Sequence, residues 1–118
     1  LELMVRSTVG HGTVQGFSTI NTISAKLVDA NGNQALPGAG RDRSGGCGNA
    51  IRGAGLDMGA RLAAIREKLG LDFKINGVGG VVSPADYQAY RNAGADSVMS
   101  ATGAMWDAEL AHKIKASR

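Results

Sequence analysis

The stretch Ile75–Pro84, "INGVGGVVSP", constrains this chain's fold more than any other. An apolar run breaks into Gly77, Gly79 and Gly80, then restarts at Ser83 and Pro84. Ser83 suits an N-cap, Pro84 the first helical position and Asp86 a capping-box-like partner. Gly94 is a stop, so "SPADYQAYRNAG" predicts a helix. The residues before the glycines, "LDFKING", predict a short strand, so this part of the chain is a strand, a glycine turn and a helix. The design repeats at once. "ADSVMSATG" predicts a second short strand ending in glycine. "DAELAHKIKAS" predicts an amphipathic helix capped by Asp107, with Leu110 and Ile114 inward. Lys113 and Lys115 stand near its end, where the helix dipole favours cations.

The same alternation extends upstream. Met58, Leu62, Ile65 and Leu69 fall on one helical face of "LDMGARLAAIREKLG", and Gly70 suits a C-terminal cap. "GFSTINTIS" is rich in β-branched and aromatic residues and predicts a buried strand. Between them lies a long polar stretch, residues 25–55, with Pro37, eight glycines and an Asn31–Gly32 pair. It predicts a loop with room for a short hairpin. Residues 1–15 have weak periodicity and a Gly-His-Gly break, which predicts a poorly defined lead-in with room for the stub of a helix. Strands alternating with helices imply parallel strands joined by right-handed crossovers, covered on both faces. Three such strands leave open edges, so the pattern predicts part of a larger sheet or barrel.

Composition narrows the function classes. Glycine makes up 18 of 118 residues, about 15% against roughly 7% in average proteins, without period or serine partners, which excludes collagen and flexible linkers. The formal charge of +3 is mild, and two Tyr, two Phe and one Trp offer little stacking surface. Nucleic acid is therefore not an expected partner. The single cysteine, Cys47, excludes an internal disulfide framework and fits a reducing compartment. No apolar stretch approaches the roughly 20 residues of a membrane span, and the N-terminus lacks a secretory core. The expectation is a cytoplasmic chain that, starting at Leu1, is processed, trimmed or a fragment.

In parallel strand-to-helix units, ligands bind beyond the carboxyl ends of the strands. Gly77, Gly79 and Gly80 fall there, where amides without a neighbouring Cβ can approach an anion and the next helix adds a partial positive end. Ser100, Ala101, Thr102 and Gly103 repeat the arrangement. One such turn is better explained by packing. Two at neighbouring junctions favour phosphate, as in the last two loops of many eight-stranded barrels. "SGGCGNAIR", with Gly48, fits a phosphate cradle or cofactor cover and a flexible surface loop equally well. No histidine lies near Cys47, so a small loop residue is the better reading than a nucleophile. Asn21 and Thr22 could hydrogen-bond a planar polar ligand or cap the following loop. His11 reads as a loop residue and His112 as a helix-surface residue. Arg41 and Arg43 read as solvated, with the option of assisting an anion. Asp29, Asp42 and Asp57 are scattered, and no residues show metal-ligand spacing.

Taken together, "INTIS", "SGGCGNAIR" and "INGVGGVVSPADYQAYRNAGADSVMSATG" resemble the C-terminal part of dihydroorotate dehydrogenases over roughly residues 14–116. The resemblance implies an α/β fold: about strands six to eight of a (β/α)8 TIM barrel whose cofactor is FMN and whose substrate pair is dihydroorotate and orotate, in pyrimidine biosynthesis. It divides the chain into a lead-in, 1–15, and a partial FMN-binding barrel, 16–118. Carried over by motif, Gly48, Gly79, Gly80, Ala101 and Thr102 would bind the FMN phosphate. Asn21 would hold the substrate's carboxylate or ring edge, with Thr22 beside it. Cys47 stands where the family has Ser or Gly. The family's Ser or Cys base, its flavin-contacting lysine and further substrate asparagines lie in the N-terminal part of the barrel, so no catalytic residue is expected here. A barrel of this type runs to about 250 residues, so the isolated chain would bind FMN weakly and catalyse poorly. Its expected partners are the missing part of the barrel or further copies of itself. The electron acceptor is set outside this segment, and a membrane-associated parent is allowed. Two other readings stand beside this one: a dihydropyrimidine dehydrogenase-like or other flavin barrel, and a non-catalytic half-barrel that serves as an assembly module.

Overall fold

A computed structural model describes residues 1–117. Its centre is a parallel three-stranded sheet of β1 (Gly16–Ser18), β4 (Lys74–Val78) and β5 (Ser97–Met99), in the order β1-β4-β5. Register places Phe17 beside Ile75, Ser18 beside Asn76, and Asn76 beside Ser97. Alternation then sorts the faces. Ile75 and Gly77 are buried, and Phe17 and Val98 pack against the core from the neighbouring strands. Ser18, Asn76 and Ser97 lie on the opposite face, where the Asn76 amide donates to Ser18 Oγ (3.3 Å) and Ser97 Oγ donates to Asn76 Oδ1 (3.0 Å). Cover on both faces was expected of parallel strands. Among the described residues the second face is instead open, with the exposed Met99 beside its polar residues.

The expected single strand over Gly16–Ser24 divides in two. β1 ends at Ser18, and Thr19 is pinned to the end of β4: its amide donates to Asn76 O (3.0 Å), and its hydroxyl accepts from Val78 N (2.9 Å). The chain then leaves the sheet. β2 (Ile23–Lys26) pairs antiparallel with β3 (Arg43–Gly46), forming the short hairpin for which the expected loop over 25–55 left room, with β2 beginning two residues earlier at the end of the expected strand. The hairpin narrows through a Val28–Gln34 bridge to a turn in which Asp29 Oδ1 accepts from the amides of Asn31 (2.8 Å) and Asn33 (2.9 Å). Gly32 takes the left-handed conformation that the turn needs (φ 83°).

A 3₁₀ turn (Gly48–Ile51) leads into α2 (Arg52–Leu69), which begins four residues before the expected start at Leu56. Gly53 and Gly55 in its first turn hide the helical signal. Gly70 closes α2 in the left-handed conformation expected of it (φ 62°). α3 (Pro84–Asn92) starts as its cap residues predict, with Asp86 N donating to Ser83 Oγ (3.2 Å). A short helix, α4 (Thr102–Trp106), follows β5 unannounced. α5 (Leu110–Ala116) starts later than expected, with Glu109 rather than Asp107 at its N-cap. Asp107 sits just outside, accepting from Glu109 N (3.1 Å) and Lys113 Nζ (2.6 Å). The lead-in holds α1 (Glu2–Val9), whose Val5 is fully buried with Leu62, Phe73, Ile75, Val81, Tyr90 and Ala95 in the core. Phe17 meets Phe73 edge-to-face at 5.4 Å, which closes the core under β1. Among the described residues no helix is long and apolar enough to cross a membrane.

Candidate functional site

Three loops meet beyond the carboxyl ends of β1, β4 and β5 around a cavity of about 360 Å³. Asn21, Thr22, Gly48, Gly79, Gly80, Ala101 and Thr102 all line it, from four stretches of loop or helix start. Each stretch is placed by a local cause. Gly79 (φ 117°), Gly80 (φ 67°) and Gly48 (φ 70°) occupy backbone conformations that side chains disfavour, and so let the chain double back within two residues. At Gly80 a Cβ would press on Gly48 O (2.9 Å) and Asn49 Cα (3.0 Å), so the β4 turn and the 3₁₀ turn touch backbone to backbone. Ser100 Oγ donates to Val81 O (2.7 Å), which ties the β5 turn to the β4 turn.

The wall suits an anion held by amides. A Cβ on Gly48 would project into the space before Thr102, meeting only its Cγ2 at 4.0 Å, so the missing side chain is itself part of the cavity. Outside the helices and strand ladders, no described hydrogen bond takes the amides of Gly48, Gly79, Gly80 and Thr102. Among the described residues no Asp or Glu lines the cavity, so no carboxylate there repels a negative group. Among the described residues no Lys or Arg lines it either, which leaves backbone dipoles and the Ser18, Asn21, Thr22, Ser100 and Thr102 side chains as its polar equipment. Ile20, Ile51, Val78, Val81 and Val82 supply an apolar wall beside them.

Some residues singled out in the sequence have other work. Gly77 lies in β4 with its face against the Tyr90 ring, where a Cβ would come within 2.5 Å of Cδ1, so it serves packing rather than the cavity. The positive end of α3 is already taken. Asp86 Oδ2 accepts from Val82 N (3.1 Å) and Ser83 Oγ (2.8 Å), and Oδ1 pairs with Arg52. Burial pushes the Asp86 carboxyl up, but the hydrogen bonds from Ser83 and Val82 and the Arg52 charge outweigh it and hold the pKa below its ordinary 3.8. Arg43 braces the hairpin through Ser24 O (3.2 Å). Cys47, an exposed free thiol, sits on the cavity rim next to Gly48. His112 is exposed on α5, and His11 lies in the turn after α1. No group of three potential metal ligands occurs among the described residues.

Two polar side chains behind the wall are invisible to motif reading. Thr19 is 6% exposed, and its hydroxyl also donates to Val78 O (3.1 Å). Tyr90 is fully buried, with its hydroxyl 2.7 Å from Gly79 O and 2.9 Å from Val78 O. The one available signal was a tyrosine on the inward face of α3, since a buried phenol needs an acceptor.

No family model matches the chain. A curated protein of Dictyostelium discoideum named dihydroorotate dehydrogenase is 41% identical over 100 residues, which cover 85% of this chain. The chain spans only about a quarter of that relative's length, 27%. At that identity over most of its residues, and with a parallel α/β core, the chain belongs to the dihydroorotate dehydrogenase family, as a part of the length of such a protein.

Proposed function

We propose that this chain supplies the FMN-phosphate site and part of the substrate site of a dihydroorotate dehydrogenase that converts dihydroorotate to orotate in pyrimidine biosynthesis, as roughly βα units six to eight of a TIM barrel. The observation that supports the reading is that Gly48, Gly79, Gly80 and Thr102, whose amides make no described hydrogen bond outside the helices and strand ladders, line one cavity with no carboxylate among its described lining residues. A dianion gains several charge-assisted hydrogen bonds there, without the cost of displacing bonds inside the protein. When bound, the flavin would accept the hydride removed from the substrate. The chain's own residues hold and orient it. Gly48, Gly79, Gly80, Ala101 and Thr102 grip the phosphate. Asn21 and Thr22 stand across the cavity, where an amide and a hydroxyl can fix a planar carboxylate-bearing ring. The volume, about 360 Å³, lies at the lower end of small-molecule sites, which run from about 300 to 1,000 Å³. That fits a site whose remaining walls, including the base, come from the rest of the barrel.

The test reads the amides directly. Titrating inorganic phosphate and then FMN into the ¹⁵N-labelled chain should shift the amide resonances of Gly48, Gly79, Gly80 and Thr102 ahead of all others. FMN should bind more tightly than riboflavin, which lacks the phosphate. Equal affinity for the two flavins, with those four resonances unmoved by phosphate, would refute the assignment.

A further inference from the structure

We propose that Tyr90 is a positioning residue for this site: its buried hydroxyl, together with that of Thr19, aims the amides of Gly79 and Gly80 at the cavity. The inference rests on the phosphate reading above and goes one layer behind it. Neither side chain lines the cavity; both lie on the far side of the turn. In a trans peptide the C=O and the following N–H point in opposite directions. No cis peptide occurs among the described residues. The Val78 carbonyl is held from behind by Thr19 Oγ1 (3.1 Å) and the Gly79 carbonyl by Tyr90 Oη (2.7 Å). Each bond therefore turns the next amide, Gly79 N–H and Gly80 N–H respectively, away from the core and towards the open side. Two hydroxyl protons serve two carbonyls, so each carbonyl can have its own donor.

The structure is built around this phenol. At Gly55 a Cβ would overlap both Tyr90 Oη and the Val78 carbonyl, and at Gly77 it would strike the ring. Two glycines in separate elements thus make room for the ring and its hydroxyl. A phenylalanine would fill the same space, so packing alone does not call for the oxygen. Burial raises the Tyr90 pKa above its ordinary 10.0, which keeps the hydroxyl a donor at any working pH. Glycines at φ 117° and 67° have wide conformational freedom, so a fixed direction for their amides has to be imposed from outside the turn.

The experiment compares FMN with riboflavin in the wild-type chain, in Tyr90→Phe, in Thr19→Val, and in Leu62→Ala as a destabilised control whose side chain is buried in the core away from the cavity. The expected result for Tyr90→Phe is an FMN affinity about tenfold lower with riboflavin affinity unchanged, the scale of one hydrogen bond to a charged group. The phosphate-induced shifts of Gly79 and Gly80 should shrink while those of Gly48 and Thr102 persist. If Tyr90→Phe does not fold, Thr19→Val carries the same expectation through Gly79. Leu62→Ala should leave the FMN-to-riboflavin ratio unchanged. A wild-type preference for FMN that survives in Tyr90→Phe and Thr19→Val would overturn the positioning role and leave the site standing. A preference lost equally in Leu62→Ala would reduce it to general stability. No preference in the wild-type chain would overturn both readings.

Discussion

At the scale of single residues, the glycines of this chain divide into kinds that one letter does not distinguish. Gly79, Gly80 and Gly48 are required by backbone direction. Gly55 and Gly77 are required by the bulk of Tyr90, although their φ values are ordinary. Gly53, in the same helix as Gly55, has nothing within 4 Å of a would-be Cβ. The contrast is testable by urea denaturation. Gly53→Ala should stabilise by about 0.5–1 kcal/mol, because alanine loses less backbone entropy in a helix. Gly55→Ala should destabilise by about 1–3 kcal/mol, because the methyl group displaces a buried phenol and a carbonyl. Reading the sequence correctly placed Gly79 and Gly80 at a turn but grouped Gly77 with them. The difference lies in which face of β4 meets Tyr90, thirteen residues later in the chain.

At the scale of elements, the N-terminus of α3 shows a local signal met by a distant partner. Ser83, Pro84 and Asp86 define the helix start within four residues, and the helix forms where they predict. Arg52, from the start of α2, then pairs with Asp86 and locks the two helices beside the β4 turn. Because the folded pKa of Asp86 lies below 3.8, its contribution to stability is complete above the ordinary carboxylate range and is lost as pH falls through the lowered value. Asp86→Asn should therefore lower stability at pH 7 by about 1–2 kcal/mol, moderated by solvent at the Arg52 end of the pair, and should flatten the acid limb. Denaturation midpoints measured from pH 7 to pH 2 check both; an unchanged acid limb would assign it to other carboxylates. The β2–β3 hairpin is the opposite case. Its residues carry turn signals at Asp29–Asn33, but nothing local says that the chain leaves the parallel sheet after Ser18. That break is made by Thr19 bonding to Asn76 and Val78.

At the scale of the whole molecule, the shape is open. The radius of gyration is 16.6 Å, against about 13.5 Å for a compact domain of this length, and the extents are 49 × 38 × 19 Å. β1 and β5 each pair on one side only, so the sheet offers two parallel edges. Met105 and Trp106 on α4, 86% and 87% exposed, add apolar surface near one of them. The isolated chain should therefore self-associate. Light scattering behind size-exclusion should give a mass that rises above 12.1 kDa with concentration and falls back in Trp106→Glu; a constant monomer mass would show that the edges are inert. What the sequence determined by itself is whatever a few consecutive residues can encode: the cap and stop of α3, the Gly70 terminus of α2, the strand–glycine–helix alternation and the side-chain-free residues at its turns. These depend on backbone sterics and on hydrogen bonds that span a helical turn or less. The tertiary structure alone decided the division of the first strand, the register of the hairpin, the open face of the sheet, the pairing of Asp86 with Arg52, and the backing of the β4 turn by Thr19 and Tyr90. Each of those turns on a contact between distant residues, Thr19 and Val78 being 59 apart, and no local pattern records which buried hydroxyl will find which carbonyl.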